Sequence, residues 1–101
     1  MAFLLSEYID LILALRRKGY ELCPVYRYFQ GFSSPCVFLR HDVDRLPTRA
    51  REMAISENSA DIVSTYYFRC NRKAQFPENH IADIRALGHE IGYHYETVVR
   101  Y

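Results

Sequence analysis

The sequence lacks tryptophan, a C-x-x-C pair, internal repeats and low-complexity tracts. Its formal charges almost cancel, at +1, so it has no basic excess to attract a polyanion, and we expect no nucleic-acid partner. Its three cysteines are an odd number without metal-type spacing, which favours a reducing compartment over a disulfide framework. These absences predict a cytoplasmic protein.

A long uninterrupted hydrophobic run is also missing. The most apolar stretch, residues 1–20, is broken by Glu7 and Asp10, and its basic residues follow the apolar part instead of preceding it. The stretch is too short to span a bilayer and has the wrong charge order for a signal peptide. We therefore predict an amphipathic helix here and no membrane partner.

Half of the residues are apolar, which suits one compact unit of about this length. Residues 1–35 are predicted to form the N-terminal helix and an irregular, aromatic-rich connection. Ser6 is a candidate cap for this helix and Gly19 a candidate stop. Its docking face is predicted to contain Tyr8, Ile12 and Leu15.

Residues 36–101 are predicted to form a partial α/β domain in which strands and helices alternate. The strands are predicted at Cys36–Asp42, Ile62–Phe68 and Glu90–Tyr95, with one helix from Pro47 to about Asn58 and another from Pro77 to Gly88. Connections of this length imply parallel strands, outer helices and ligands at the carboxyl ends of the strands. The fold class is therefore the β-α-β-α-β front portion of a larger barrel or layered domain.

A three-stranded parallel sheet has two open edges, and the sequence up to Tyr101 contains no further element to cover them. We therefore expect a homo-oligomer or a second chain at an edge.

The segment FLRHDVD, residues Phe38–Asp44, is an apolar strand that ends abruptly in charge. Because side chains alternate along a strand, Asp42 and Asp44 are expected on one face, about 7 Å apart. Two neighbouring carboxylates on a buried strand repel each other and lose hydration, so a cation is needed to stabilise them. The pair predicts half of a metal site.

The segment GHEIGYHYE, residues Gly88–Glu96, supplies the expected partners. In an extended strand His94 and Glu96 share a face, and parallel pairing would bring them to the same rim as the two aspartates. Imidazole and carboxylates together suit Zn²⁺ or another divalent ion. The spacing of His89 and His94 is one residue too long for the H-E-x-x-H zinc motif.

FLRHDVD, then STYYF, then GHEIGYH resemble in order and spacing the opening of the polysaccharide deacetylase family, the NodB-homology carbohydrate esterases. That family has a paired-aspartate motif, TFDDG with D-x-D variants, at the end of its first strand. Its second motif is G-H-E-I-G-x-H-[ST]-x-x-H. The resemblance covers roughly residues 36–96 and implies the N-terminal half of a distorted (β/α) barrel.

The resemblance implies a role for each matching residue. Asp42 would be the catalytic base, Asp44 a metal ligand and His94 the first metal histidine. Val98 stands where the family has its third ligand, and Glu96 is the nearby substitute.

The implied reaction is metal-dependent hydrolysis of an N-acetyl or O-acetyl group on a carbohydrate. The family's later motifs, including its catalytic acid, have no counterpart in these 101 residues. The chain by itself is therefore expected to be catalytically incomplete. The alternative is a non-catalytic remnant or assembly module that keeps a partial metal site and self-associates.

Overall fold

The structure, a computed structural model, describes residues 4–31, 35–43, 47–70 and 78–95. The helices are α1 (Leu5–Arg17), α2 (Tyr26–Gln30), α3 (Pro47–Ser59) and α4 (Glu78–Ala86). The strands are β1 (Glu21–Cys23), β2 (Cys36–Phe38), β3 (Arg40–Val43), β4 (Thr65–Cys70) and β5 (Glu90–Tyr95).

The described chain is mixed α/β with parallel strands. One sheet has the order β3-β4-β5, and α3 and α4 form the two crossovers between its strands. In its register Asp42 pairs with Tyr67, and Tyr67 pairs with Gly92. The prediction of three parallel strands with intervening helices is confirmed, whereas the larger barrel stays a prediction.

The predicted first strand is divided at Leu39 between two sheets. Its first part, β2, pairs in parallel with β1, and its second part, β3, pairs with β4. Leu39 joins the two sheets, because its N–H donates to the Cys23 carbonyl at 2.8 Å and its carbonyl accepts from the Thr65 N–H at 3.0 Å.

The prediction of an irregular connection over residues 20–35 was wrong in part, because β1 and α2 lie within it. A three-residue strand is too short to show an alternating pattern, so its sequence carried no strand signal.

Most helix boundaries lie within one or two residues of the predicted ones, but the start of α1 differs. The helix begins at Leu5, with Leu4 as its cap residue, so Ser6 is inside the first turn and the predicted cap was wrong. Glu7 explains the earlier start, since its Oε1 accepts from the Leu4 backbone N–H at 3.2 Å. Gly19 ends the helix as predicted, with a positive φ of 100°.

Two apolar clusters hold the elements together. The larger lies between the three-stranded sheet and the helices α3 and α4, and contains Val43, Ala54, Tyr66, Phe68, Ile81 and Ile84. The smaller is built around Ile12, Leu39 and Ile62, with Tyr8 and Leu15 packed against it. The predicted docking face of α1 is confirmed.

No helix in the described ranges is long and apolar enough to cross a bilayer.

Candidate functional site

The alternation of side chains along β3 separates the polar residues of FLRHDVD. Arg40 and Asp42 lie on an exposed face, whereas His41 is mostly buried and Val43 is buried on the opposite face. His41 therefore points away from Asp42, as a regular strand requires. We call the exposed face at the carboxyl end of β3-β4-β5, with Asp42, Tyr67 and Gly92, the rim.

Asp42 lies on the rim in an ion pair. Its Oδ1 accepts from Arg40 Nε at 3.0 Å, and the two side chains are 51% and 49% exposed. The Arg40 guanidinium also lies 4.2 Å from the centre of the Tyr67 ring, where it makes a cation–π contact. Asp42 is thus accessible to a ligand, with one oxygen engaged by Arg40.

Of the three predicted metal ligands, only His94 lies within the described residues. His94 belongs to β5 and pairs with Arg69, two positions beyond the Asp42–Tyr67–Gly92 row. Asp44 and Glu96 lie outside the described residues, as does Val98. The structure thus brings the strands of Asp42 and His94 into one parallel sheet, with β4 between them.

Gly92 is required on the rim because the Tyr67 ring lies directly over it. A Cβ added at Gly92 would lie 2.5 Å from Tyr67 Cε1 and 2.6 Å from Cδ1. Only glycine accommodates so close an approach. The second glycine of GHEIGYH therefore has a packing role.

His89 is a buried structural residue. Its Nδ1 accepts from the Ser64 backbone N–H at 3.1 Å, and its Nε2 lies 2.9 Å from the Ala54 carbonyl. A carbonyl only accepts, so Nε2 carries the proton and the imidazole is neutral. With both nitrogens engaged in hydrogen bonds, His89 is not available as a metal ligand.

Glu90 connects the sheet to α2. Its Oε1 accepts from the Thr65 hydroxyl and from the Tyr26 backbone N–H, the latter at 3.2 Å. The Thr65 oxygen in turn accepts from the Val25 N–H at 2.7 Å. Three residues of GHEIGYH, namely His89, Glu90 and Gly92, therefore have structural roles that are independent of any catalysis.

The opposite face of the sheet holds a buried polar group that the sequence did not predict. Glu57 of α3 is fully buried, and its Oε2 accepts from the Tyr8 hydroxyl at 2.6 Å, from the Ser64 hydroxyl at 2.6 Å and from His41 Nε2 at 2.9 Å. The Tyr66 hydroxyl donates to Oε1. We call Glu57 and its four donors the Glu57 network.

The electrostatics of this network favour an ionised carboxylate. Burial alone would raise the pKa of Glu57, but the hydrogen bond and charge of His41 and the hydroxyls of Ser64 and Tyr66 outweigh burial and lower the pKa below its ordinary 4.5. Burial and the same carboxylate raise the pKa of Tyr8 and Tyr66 far above the ordinary 10.0. At neutral pH the network therefore contains one anion surrounded by neutral hydroxyls.

His41 connects this network to a groove of about 700 Å³ between α1, β3 and α3. The groove is lined by Leu4, Leu5, Tyr8, Phe38, Leu39, Arg40, His41, Arg49, Glu52 and Met53. Because the ionised Glu57 accepts from Nε2, that nitrogen carries the proton, and the carboxylate orients the imidazole.

One sequence signal could have found Glu57. With Ala50 and Ala54 it forms a stripe spaced i, i+4, i+7 on α3, so a charged residue stands in the face that packs on the sheet.

A second group of ligand-type side chains lies on β1 and β2. Oxygen and sulfur atoms of Glu21, Cys23 and Cys36 all lie within 4.8 Å of one another, so this group could hold a metal ion. Burial, followed by the neighbouring Cys36 thiol, raises the pKa of the Cys23 thiol to about 11. The sequence did not predict this group, because β1 was not recognised as a strand.

A scan against protein-family models and searches of curated proteins and of solved structures found no match to this chain.

Proposed function

We propose that this chain forms the metal-binding part of a hydrolase that removes acetyl groups from a carbohydrate. The observation that carries the proposal is the parallel order β3-β4-β5. In that order the strand of FLRHDVD and the strand of GHEIGYH end at the same rim.

The spacing of the strands supports the proposal. Neighbouring strands lie about 4.8 Å apart, so β3 and β5 are separated by about 10 Å across β4. Aspartate and histidine side chains extending from two strand ends can meet over such a distance. Asp44 follows β3 directly, and His94 lies near the end of β5.

Each residue has a separate part in the proposed reaction. Asp44, His94 and Glu96 would hold the cation. A bound divalent ion such as Zn²⁺ supplies Lewis-acid activation of water and of the acetyl carbonyl. Asp42 would take the proton of the attacking water, a role that fits its exposed carboxylate with one oxygen engaged by Arg40.

The test combines metal binding with acetate release. The full chain, in a Cys36→Ser background that removes a thiol ligand of the other candidate site, is titrated with Zn²⁺ by calorimetry and then given N-acetylated chito-oligosaccharides. We expect one Zn²⁺ per chain, lost in Asp44→Ala and in His94→Ala. Any acetate release should fall by about 10²-fold or more in Asp42→Asn, the loss typical of a missing general base.

The matched control for these substitutions is Asp10→Asn, a change of the same type on the exposed surface of α1. It should leave both metal binding and acetate release unchanged. Zn²⁺ binding that survives in both Asp44→Ala and His94→Ala would contradict the proposed site.

A second function, a self-associating module, is favoured by the open sheet. Within the described residues β3 and β5 are the outer strands of the three-stranded sheet, and each pairs on one side only. Unpaired strand edges are templates for pairing with another chain. Light scattering coupled to size exclusion tests this function, since a stable monomer at micromolar concentration would contradict it.

A further inference from the structure

The pair of strands β1 and β2 carries three ligand-type side chains on one face. Glu21 is directly opposite Cys36 in the parallel register, and Cys23 is two residues further along β1. Because side chains two residues apart share a face, all three point to the same side. No part of the proposed hydrolytic site involves them.

We propose that Glu21, Cys23 and Cys36 form a zinc site of two thiolates and one carboxylate, with a fourth position open to water or another ligand. Thiolate-rich sites select Zn²⁺ over the harder divalent cations. This site is separate from the rim and does not depend on the proposed hydrolytic function.

The distances suit a zinc ion. Bond lengths of about 2.3 Å for Zn–S and 2.1 Å for Zn–O place the ligand atoms of a tetrahedral site about 3.6–3.8 Å apart. Cys36 Sγ already lies 3.7 Å from Glu21 Oε2, and all ligand atoms lie within 4.8 Å of one another. Side-chain rotations that move the ligand atoms by about 1 Å or less would complete the site, without any change in the strand pairing.

Arg27 supplies the outer contact and the charge that such a site needs. Its Nη2 donates to Glu21 Oε1 at 3.0 Å, while the other oxygen, Oε2, faces Cys36. A ligand carboxylate held in this way by a donor is oriented toward the metal. Two thiolates and one carboxylate carry −3, Zn²⁺ reduces this to −1, and the guanidinium neutralises the rest.

A buried donor beside this group also lacks an acceptor. Arg27 Nε is buried and has no hydrogen-bond partner in the described part of the chain. Such an unpaired buried donor is costly, and a water or anion bound beside Glu21 would satisfy it.

Cobalt is the probe for this site, because Co²⁺ takes the place of Zn²⁺ and reports thiolate ligands by a charge-transfer band in the near ultraviolet. The reduced full chain is titrated with Co²⁺, and Zn²⁺ is then added in competition. We expect the band to saturate at one Co²⁺ per chain and to disappear when Zn²⁺ is added.

Variants assign the ligands. Cys36→Ser, at a half-buried position, should abolish the band or halve it with weaker binding. Arg27→Met should weaken binding about tenfold through the lost outer contact. The matched control is Cys70→Ser, which removes the third cysteine and should leave the titration unchanged.

Three results would overturn the zinc site: no charge-transfer band, an unchanged band in Cys36→Ser, or loss of the band in Cys70→Ser. The band should persist in Asp44→Ala, since the rim ligands contain no sulfur. Failure of the thiolate site and failure of the rim site are therefore observed separately.

Discussion

A carboxylate lies at each face of β3, one exposed to solvent and the other buried. On the rim, Asp42 is 51% exposed and, among the described residues, forms an ion pair with Arg40, which is itself half exposed. On the other face, Glu57 is fully buried and accepts four hydrogen bonds. Water can replace a lost partner on the rim but not inside the network.

Residues suited to chemistry and residues suited to stability thus alternate within one short segment. Asp42 remains free to meet a ligand, whereas His41, its neighbour in sequence, is held by a buried carboxylate. Substitution of the exposed Asp42 should therefore cost little stability, whereas substitution inside the Glu57 network should cost much more.

The largest effect is expected for Glu57→Ala. The substitution leaves four donors without their buried acceptor, and we expect the free energy of unfolding to fall by about 3–5 kcal/mol. Urea unfolding followed by circular dichroism measures it. The matched control is Glu52→Ala on the exposed side of α3, which should change stability by less than about 0.5 kcal/mol. Equal losses in the two variants would show that the buried Glu57 contributes no more to stability than an exposed glutamate of the same helix.

The next largest effect is expected for Gly92→Ala, the position where the rim itself is tightly packed. The new Cβ would clash with the Tyr67 ring, and we expect a loss of about 1–3 kcal/mol. The loss should be much smaller in a Tyr67→Ala background, which removes the ring. A double-mutant cycle measures this coupling, and a cycle that closes without any coupling would refute the steric explanation.

Acid, but not neutral pH, should weaken the Glu57 network. Because the pKa of Glu57 is lowered in the folded chain, the native state binds fewer protons than the unfolded state near that pKa. The network's stabilisation is present above pH 4.5, the ordinary pKa, and is lost as pH falls through the folded value. Urea unfolding of the wild type and of Glu57→Gln between pH 3 and 7 should give a flatter acid slope for the variant. Parallel slopes would mean that other carboxylates cause the acid loss.

The smallest effect on stability is expected for Asp42→Asn. It removes one exposed ion pair, and such pairs contribute about 0–1 kcal/mol. A loss as large as that of Glu57→Ala would show that Asp42 is not the free rim residue that the proposed base requires. Thermal unfolding at two salt concentrations provides the measurement.

The regular part of the fold was predictable because its signals are local. Pro47 begins α3, Gly19 and Gly88 end helices with positive φ, and β5 spans Glu90–Tyr95 as its pattern indicates. These positions follow from backbone geometry that few other residues adopt. The parallel order of the strands then follows from the lengths of the crossovers.

The candidate sites were less predictable, because they depend on which elements become neighbours. Glu57 receives donors from α1, β3 and the residues around β4, up to 49 positions away in sequence. The Glu21–Cys36 pairing needed a strand of only three residues that no periodicity reveals. Such contacts form between elements whose own sequences do not specify the partner.

Local sequence signals were sufficient to predict α1, α3, α4, the three parallel strands and the alternation of faces along β3, because helix ends and strand alternation are local properties of the backbone. Three arrangements needed the folded chain: His41 meets a buried carboxylate, Tyr67 covers Gly92, and two cysteines and a glutamate share a face. These arrangements arise from packing between distant segments, where the need to satisfy buried polar groups selects the partners.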